Sequence, residues 1–400
     1  MFHELLSRDH EDGRATWQPQ GVGSEAYLNG TSQEPTPEDA RKDGHIVRAR
    51  CAPLSPASGF PVSWSQQVIH EISGLKILPE AILSTEIPNP ARIFPMPNLT
   101  PEEYFAPFSQ IIPNFAAFCG KLSAPLPVHL RMNTLKAPVR ETRLRLERQG
   151  IALVKEDPLK LVYRAEHLSH PGHLLEFSLG HLHSQALSSV LAAIVLEPQP
   201  GEAVLDLCAA PGSKTSLMAQ LMQNKGIIVA NDRNPDRLIP LRANLKRLGV
   251  TNTVITRYPG QHFPKRFFFD RVLVDVPCSA EGTLRAGPNG TLRQSTWASQ
   301  KLTRLQRNLL LMAFDLLKAG GTLVYSTCTY SPDENERALE FLLESRPAEI
   351  QPIGLDMPHS PGLQQWNETS YDPSIKYCWR IYPHQIDTVG FFMARVVKGF

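Results

Sequence analysis

The chain has 400 residues, 42% hydrophobic and 20% charged, with a formal net charge of +2 at pH 7. Those values suit a globular core and exclude a fibrous or a wholly disordered chain. No run of 18 or more apolar residues is present, so neither a transmembrane helix nor a membrane partner is expected.

The N-terminus, Met1-Phe2-His3-Glu4, lacks the basic-then-apolar pattern of a signal peptide, and a cytoplasmic location is expected. Six cysteines are scattered without a CxxC pair, which argues against a zinc site or a disulfide framework. Charge is uneven. Residues 1–100 hold 8 Lys/Arg against 12 Asp/Glu, and residues 101–400 hold 33 against 27. The larger part leans toward a polyanionic partner.

Residues 1–95 are rich in Pro, Ser and charge, with 11 prolines in the first hundred positions, and read as a poorly ordered N-terminal extension. Regularity begins at Thr100-Pro101-Glu102-Glu103, a helix start with Thr as N-cap and Pro at N1. A strand over 128–133, a helix over 138–149 and short strands at 151–154 and 161–163 predict a small α+β domain over 96–180. Its basic segment places Arg131, Asn133, Lys136 and Arg140 as candidate RNA contacts, with a solvated helix face as the plain alternative. Five histidines lie between His167 and His183, but Pro171-Gly172 break any helix there, and no metal is expected.

From residue 181 to 400 strands and helices alternate: helix 184–197, strand 203–207, helix from 213, strand 227–231, helix 234–248, strands 253–257 and 271–276, helix 300–318, strand 322–327, helix 333–345 and a last strand 390–397. This pattern predicts a doubly wound α/β sheet.

The first strand ends in Asp206, and Cys208-Ala209-Ala210-Pro211-Gly212 then opens a helix at Ser213-Lys214. Such a turn brings backbone close to a ligand, and the helix N-terminus favours an anionic group. Asp232, at the end of the next strand, suits a ribose diol. The turn is neither a Walker A motif nor G-x-G-x-x-G, so an adenosine ligand carrying an amino acid group fits it better than a dinucleotide. S-adenosylmethionine is such a ligand. Lys214 would pair with a carboxylate or lie solvated in the first turn.

Two later strands each end in a cysteine: Asp275-Val276-Pro277-Cys278-Ser279 and Ser326-Thr327-Cys328-Thr329. Strand ends of an open α/β sheet are where ligands bind. Thiolate addition at carbon 6 of a cytosine would make carbon 5 nucleophilic enough to accept a methyl group. An acid must balance charge on the ring nitrogen, and an assisting base must then remove the carbon-5 proton so that the thiolate is expelled. Cys328, Asp275 and Cys278 could supply that set; burial as small apolar side chains is the alternative.

These motifs, together with Arg131-Met132-Asn133, His183-Ser184-Gln185, Ser331-Pro332-Asp333-Glu334-Asn335-Glu336 and Gly390-Phe391-Phe392, resemble the Nop/Sun family of RNA cytosine-5 methyltransferases. Within it, Cys278-Ser279-Ala280-Glu281-Gly282-Thr283 is most similar to the bacterial 16S rRNA branch of RsmF type. The resemblance implies a Rossmann-like class I methyltransferase preceded by a small RNA-recognition-like α+β domain, acting as a monomer on rRNA, or alternatively tRNA. It makes Cys328 the nucleophile, Cys278 the residue that helps release product, and Asp275 a contact to base and methyl donor. Cys208, Ala209, Ala210, Pro211, Gly212, Ser213, Lys214, Asp232 and Arg237 then hold S-adenosylmethionine. One departure is Tyr258-Pro259-Gly260-Gln261, where many members have an aspartate in place of Pro259; it leaves a non-catalytic RNA-binding factor as the second reading.

Overall fold

The computed structural model describes residues 99–156, 160–292 and 300–399, and all of these fall in one of the chain's two compact units, Val62–Phe400. The expectation for residues 1–95 lies outside the described residues.

Helix α1 (Pro101–Phe105) starts as the sequence predicts. Thr100 and Glu103 form a reciprocal capping box. With α2 (Phe115–Leu122) it builds an aromatic cluster of Tyr104, Phe105, Phe108 and Phe118. Next comes a four-stranded antiparallel sheet of order β2-β3-β1-β4, from β1 (Val128–Met132), β2 (Leu153–Lys155), β3 (Val162–Ala165) and β4 (Leu182–Ser184). Helix α3 (Val139–Arg148) covers it through Leu146, and Leu130, Met132, Tyr163 and Leu182 complete that core. A short α4 (Leu175–Ser178) precedes β4. The helix expected from residue 184 begins later, because Leu182–Ser184 pair with β1.

The second sheet has nine strands. Helix α5 (Leu187–Leu196), with nine of its ten residues buried, leads into β5 (Ala203–Asp206). Then follow α6 (Ser213–Leu221), β6 (Ile227–Asn231), α7 (Pro235–Leu248), β7 (Thr253–Thr256), β8 (Phe269–Asp275), α8 (Gln300–Asp315), β9 (Leu317–Thr327) and α9 (Glu336–Ser345). After α9 come β10 (Ala348–Gln351), β11 (Ser360–Pro361), the small ladder β12 (Gln365–Trp366) and β13 (Thr369–Ser370), β14 (Trp379–Ile381) and β15 (Phe391–Lys398).

Strand order in the large sheet is β11-β14-β15-β9-β8-β5-β6-β7, with β10 on β15. The pairs from β7 to β9 are parallel, and β15 lies antiparallel on β9. Chain direction from β5 goes one way to β6 and β7 and the other way to β8 and β9, so the topological switch point lies between β5 and β8, where such sheets bind ligands.

Parallel strands covered on both faces read as continuous apolar runs. Alternate side chains here enter opposite cores: Leu205, Val272, Val274, Leu323 and Tyr325 face α8 and α9, while Val204, Leu273 and Val324 face α5 and α6. The edge beyond β15 depends on a buried ion pair. Arg380 on β14 donates to both carboxylate oxygens of Glu336 at 2.6 Å and to Tyr330 O at 3.1 Å, with side chains 2% and 0% exposed.

Removing one member of a buried pair strands its partner. Arg380→Ala is therefore expected to lower unfolding free energy by about 3–5 kcal/mol in urea titration, and the double variant with Glu336→Leu to recover much of the loss. A single-variant loss below about 1 kcal/mol would contradict this role.

Candidate active site

The turn after β5 is built for close approach. Gly212 has φ +97°, and a Cβ there would lie 2.7 Å from Leu241 Cδ1. Gly212 is the N-cap of α6 and provides no side chain to its free amides, which leaves them for an anionic group. The Ala210-Pro211 peptide is cis. Arg237 donates to Ala210 O at 2.6 Å and lies 3.1 Å from Asp232 Oδ2. Asp232 Oδ1 accepts from Asn234 N, yet its buried Oδ2 has no hydrogen-bond donor. Held by the ion pair with the half-exposed Arg237 but without a hydrogen-bond donor, that oxygen is what a ribose diol would satisfy. The residues thus fit S-adenosylmethionine: Asp232 for the ribose, the Cys208–Gly212 turn and the α6 N-terminus for the methionine end.

Asn231, unremarked in the sequence, fixes the far wall. Its amide donates to Leu207 O and Tyr258 O, and it accepts from Tyr258 N at 2.8 Å. Asp206 is buried, bonded by the Thr215 hydroxyl at 2.7 Å, and burial pushes its carboxyl up to about 7. Burial also raises the Cys208 thiol far above its ordinary value.

Lys214 does not lie solvated in the first turn. Its Nζ sits 2.7 Å from Asp275 Oδ2, and the Ser326 hydroxyl donates to Asp275 Oδ1 at 2.7 Å. Asp275 is thereby pinned at the end of β8, beside the end of β9.

The two cysteines meet. Cys278 Sγ is 3.2 Å from Cys328 Sγ, and Cys328 N–H donates to Cys278 Sγ at 3.3 Å. The hydrogen bond with Cys328, together with burial, raises the Cys278 thiol well above its ordinary value. Cys278 therefore holds its proton and can direct its S–H at Cys328 Sγ.

Beneath them lies a cluster that sequence reasoning did not single out. Ser279 Oγ is 2.8 Å from Glu281 Oε2 and 3.1 Å from Thr329 Oγ1, and it also contacts Glu334 Oε1. A serine hydroxyl has one proton to give. Glu334 already accepts from Ser279 N at 3.1 Å and Gln306 Nε2 at 2.6 Å. Glu281 is fully buried, its Oε1 has no partner, and burial raises its pKa. One arrangement that fits gives the serine proton to Glu334 and has Glu281, raised by burial, as a neutral acid donating to Ser279. Glu281 and Glu334 both sit inside the quoted motifs, but only their meeting across 53 residues shows the role.

Arg131 and Asn133 correct an expectation. Arg131 is 0% exposed and donates to Gln220 Oε1 at 2.7 Å and Ser216 Oγ at 2.8 Å on α6. Asn133 is 1% exposed and donates to Gly180 O and Leu248 O. Side chains so enclosed cannot reach an RNA phosphate; they fasten the small sheet to the cofactor helix. His183 joins them. Burial and the charges of Arg131 and Arg247 push it down to about 3. Neutral, it accepts from Arg247 Nη2 at Nδ1 and so donates from Nε2 to Ser213 Oγ, both at 2.9 Å. Lys136 and Arg140 are exposed. On α3, Arg143 and Arg145 are paired to Glu147 and Glu141.

If Glu281 is the neutral partner, Glu281→Gln keeps a donor in place and should leave the urea midpoint nearly unchanged. Glu334→Gln would confront donors with an amide and should cost about 1–3 kcal/mol. Equal damage from both, or the reverse order, would refute the proton assignment.

A family model described as 16S rRNA methyltransferase RsmB/F matches residues 193–397. The human 28S rRNA (cytosine(4447)-C(5))-methyltransferase is 40% identical over 305 residues, 73% of this chain and 36% of that protein. The chain thus spans little more than a third of that relative's length. A tRNA (cytosine(49)-C(5))-methyltransferase of Pyrococcus abyssi is 38% identical over 289 residues, 70% of this chain and 91% of that protein. The crystal structure of a methyltransferase homologue from Pyrococcus horikoshii superposes with a TM-score of 0.62 at 33% identity, covering 72% of this chain and 91% of that one. With the strand order and switch point described above, these matches establish that the chain belongs to the RsmB/F methyltransferase family and has its Rossmann-like class I fold.

Proposed function

We propose that this chain transfers a methyl group from S-adenosylmethionine to carbon 5 of a cytosine in RNA, through a covalent bond to Cys328. The observation that carries this reading is the 3.2 Å contact of Cys278 with Cys328 beside an Asp275 held by Lys214 and Ser326. Ribosomal RNA is the proposed substrate class, tRNA the alternative, and a cytoplasmic monomer the proposed form.

In this reading the Cys328 thiolate adds to carbon 6, and the ring's electrons shift toward its nitrogen. The Asp275–Lys214 pair carries the proton that the nitrogen takes up. Bound S-adenosylmethionine supplies an electrophilic methyl group on its sulfonium. Carbon 5 bonds to that methyl group while the sulfonium–methyl bond breaks and its electron pair stays on the donor sulfur as a thioether. Solvent water then takes the carbon-5 proton, and the C–H pair restores the ring double bond. The Cys328–carbon 6 bond breaks with its pair returning to sulfur, and the ring nitrogen hands its proton back to the Asp275–Lys214 pair. The Cys278 S–H stabilises that departing thiolate. A base paired in a stem must first be extruded to reach Cys328. Exposed Lys136 and Arg140 are proposed contacts to RNA phosphates.

Pro259, in the position where many members have an aspartate, favours the second reading, a non-catalytic RNA-binding factor. One experiment separates the two. Cys278→Ala, incubated with RNA and S-adenosylmethionine, is expected to accumulate a protein–RNA species that survives denaturation, and adding Cys328→Ala should abolish it. Bisulfite mapping after deletion should show the loss of a 5-methylcytosine in rRNA. Loss in tRNA instead would overturn the rRNA choice alone. No adduct and no lost methylation would overturn the enzyme reading.

A further inference from the structure

Away from the cysteines, between α8 and α9, a groove of about 700 Å³ is lined by Arg304, Arg307, Arg337, Asp333 and Phe341 among other side chains. Cavities of this size lie in the range that takes nucleotide-sized groups. Its charge is unbalanced. Arg337 is paired to Asp333 at 2.8 Å. Arg304 is exposed and forms no ion pair among the described residues. The Arg307 guanidinium lies 5.2 Å from the Phe341 ring centroid, and its buried Nε has no hydrogen-bond partner. A cation held against an aromatic face with a buried donor unanswered lacks an acceptor that a ligand would bring.

The groove is tied to the catalytic loops. Gln306, next to Arg307, donates to Pro277 O at 2.9 Å, one residue before Cys278, and to Glu334. Asp333 lies on the segment that follows Cys328, five residues on. A polyanion seated here would lie beside the loops that carry both cysteines. Guanidinium forks match phosphate oxygens.

We propose that this groove binds the phosphate backbone of the RNA strand flanking the target base, with Arg304 and Arg307 as its phosphate contacts. The proposal rests on the RNA reading above and adds the path of the strand.

The test uses the full chain, a fluorescently labelled single-stranded oligouridylate with one central cytosine, and anisotropy across a salt series. Arg304→Gln/Arg307→Gln should bind more weakly, and its log K against log salt slope should be shallower by about 1.4, two phosphate contacts on a single strand. Calorimetric affinity for S-adenosylmethionine should stay at the wild-type value, which excludes misfolding. A double variant that binds this RNA with unchanged affinity and slope overturns the groove while leaving the methyltransferase reading intact. Wild-type protein without affinity for RNA overturns both. If inorganic phosphate at matched ionic strength displaces the RNA, and only when both arginines are present, the site is one for free phosphate and the backbone proposal falls.

Discussion

The parallel pairing of β8 with β9 is the constraint on which the site depends. Asp275 stands opposite Ser326 in that register, and the two side chains are joined by a 2.7 Å hydrogen bond. The chain reaches Cys278 three residues past Asp275 and Cys328 two residues past Ser326. Because the strands end together, the two sulfurs arrive together. A slip of one residue would turn every side chain of β9 to the opposite face and part the cysteines. The apolar alternation of Leu323, Val324 and Tyr325 between two cores makes such a slip costly.

Loops that follow the strands need their own restraint. The Cys328 loop is held from outside by Arg380, which grips Glu336 and Tyr330 O, and from below by the Ser279, Glu281 and Glu334 cluster. Gly282 N–H donates to Cys328 O at 2.9 Å, and Gly390 N–H donates to Gly282 O at 2.8 Å. Space there is so tight that a side chain on Gly390 would overlap the Tyr330 ring. Tyr330 in turn packs edge-on against Phe105 and Phe118 and stacks on Tyr382. The helices near residue 100 thus support the loop of a residue more than 200 positions away. These buried polar groups are joined in a network that ties the loop down, with Glu281 Oε1 left without a partner.

Much of this was legible in sequence for one physical reason: local chemistry and local structure coincide there. The Thr100 capping box, the Gly212 turn and the apolar strands each show in a few neighbouring residues. The boundaries of β9 were harder, since its first residues, Leu317–Gly321, look like a helix end and a turn. Strands β10 and β14 escaped because short segments at an edge carry little periodic signal. Arg131 shows the deeper limit. A basic segment looks the same whether its arginines face solvent or thread between two sheets, and only Ser216 and Gln220, 85 and 89 residues on, decide it. The same holds for Glu281 and Glu334, whose shared serine is a tertiary fact.

The proposed mechanism divides the work between two sulfurs in contact, with Cys278 keeping its proton and Cys328 attacking as the thiolate. Mass-spectrometric location of iodoacetamide labelling across a pH series measures this directly. Cys328 should be labelled first near neutral pH, with Cys278 lagging, and Cys278→Ala should slow labelling of Cys328 by removing its S–H donor. Labelling of Cys278 ahead of Cys328, with Cys328 unaffected by the substitution, would contradict the account.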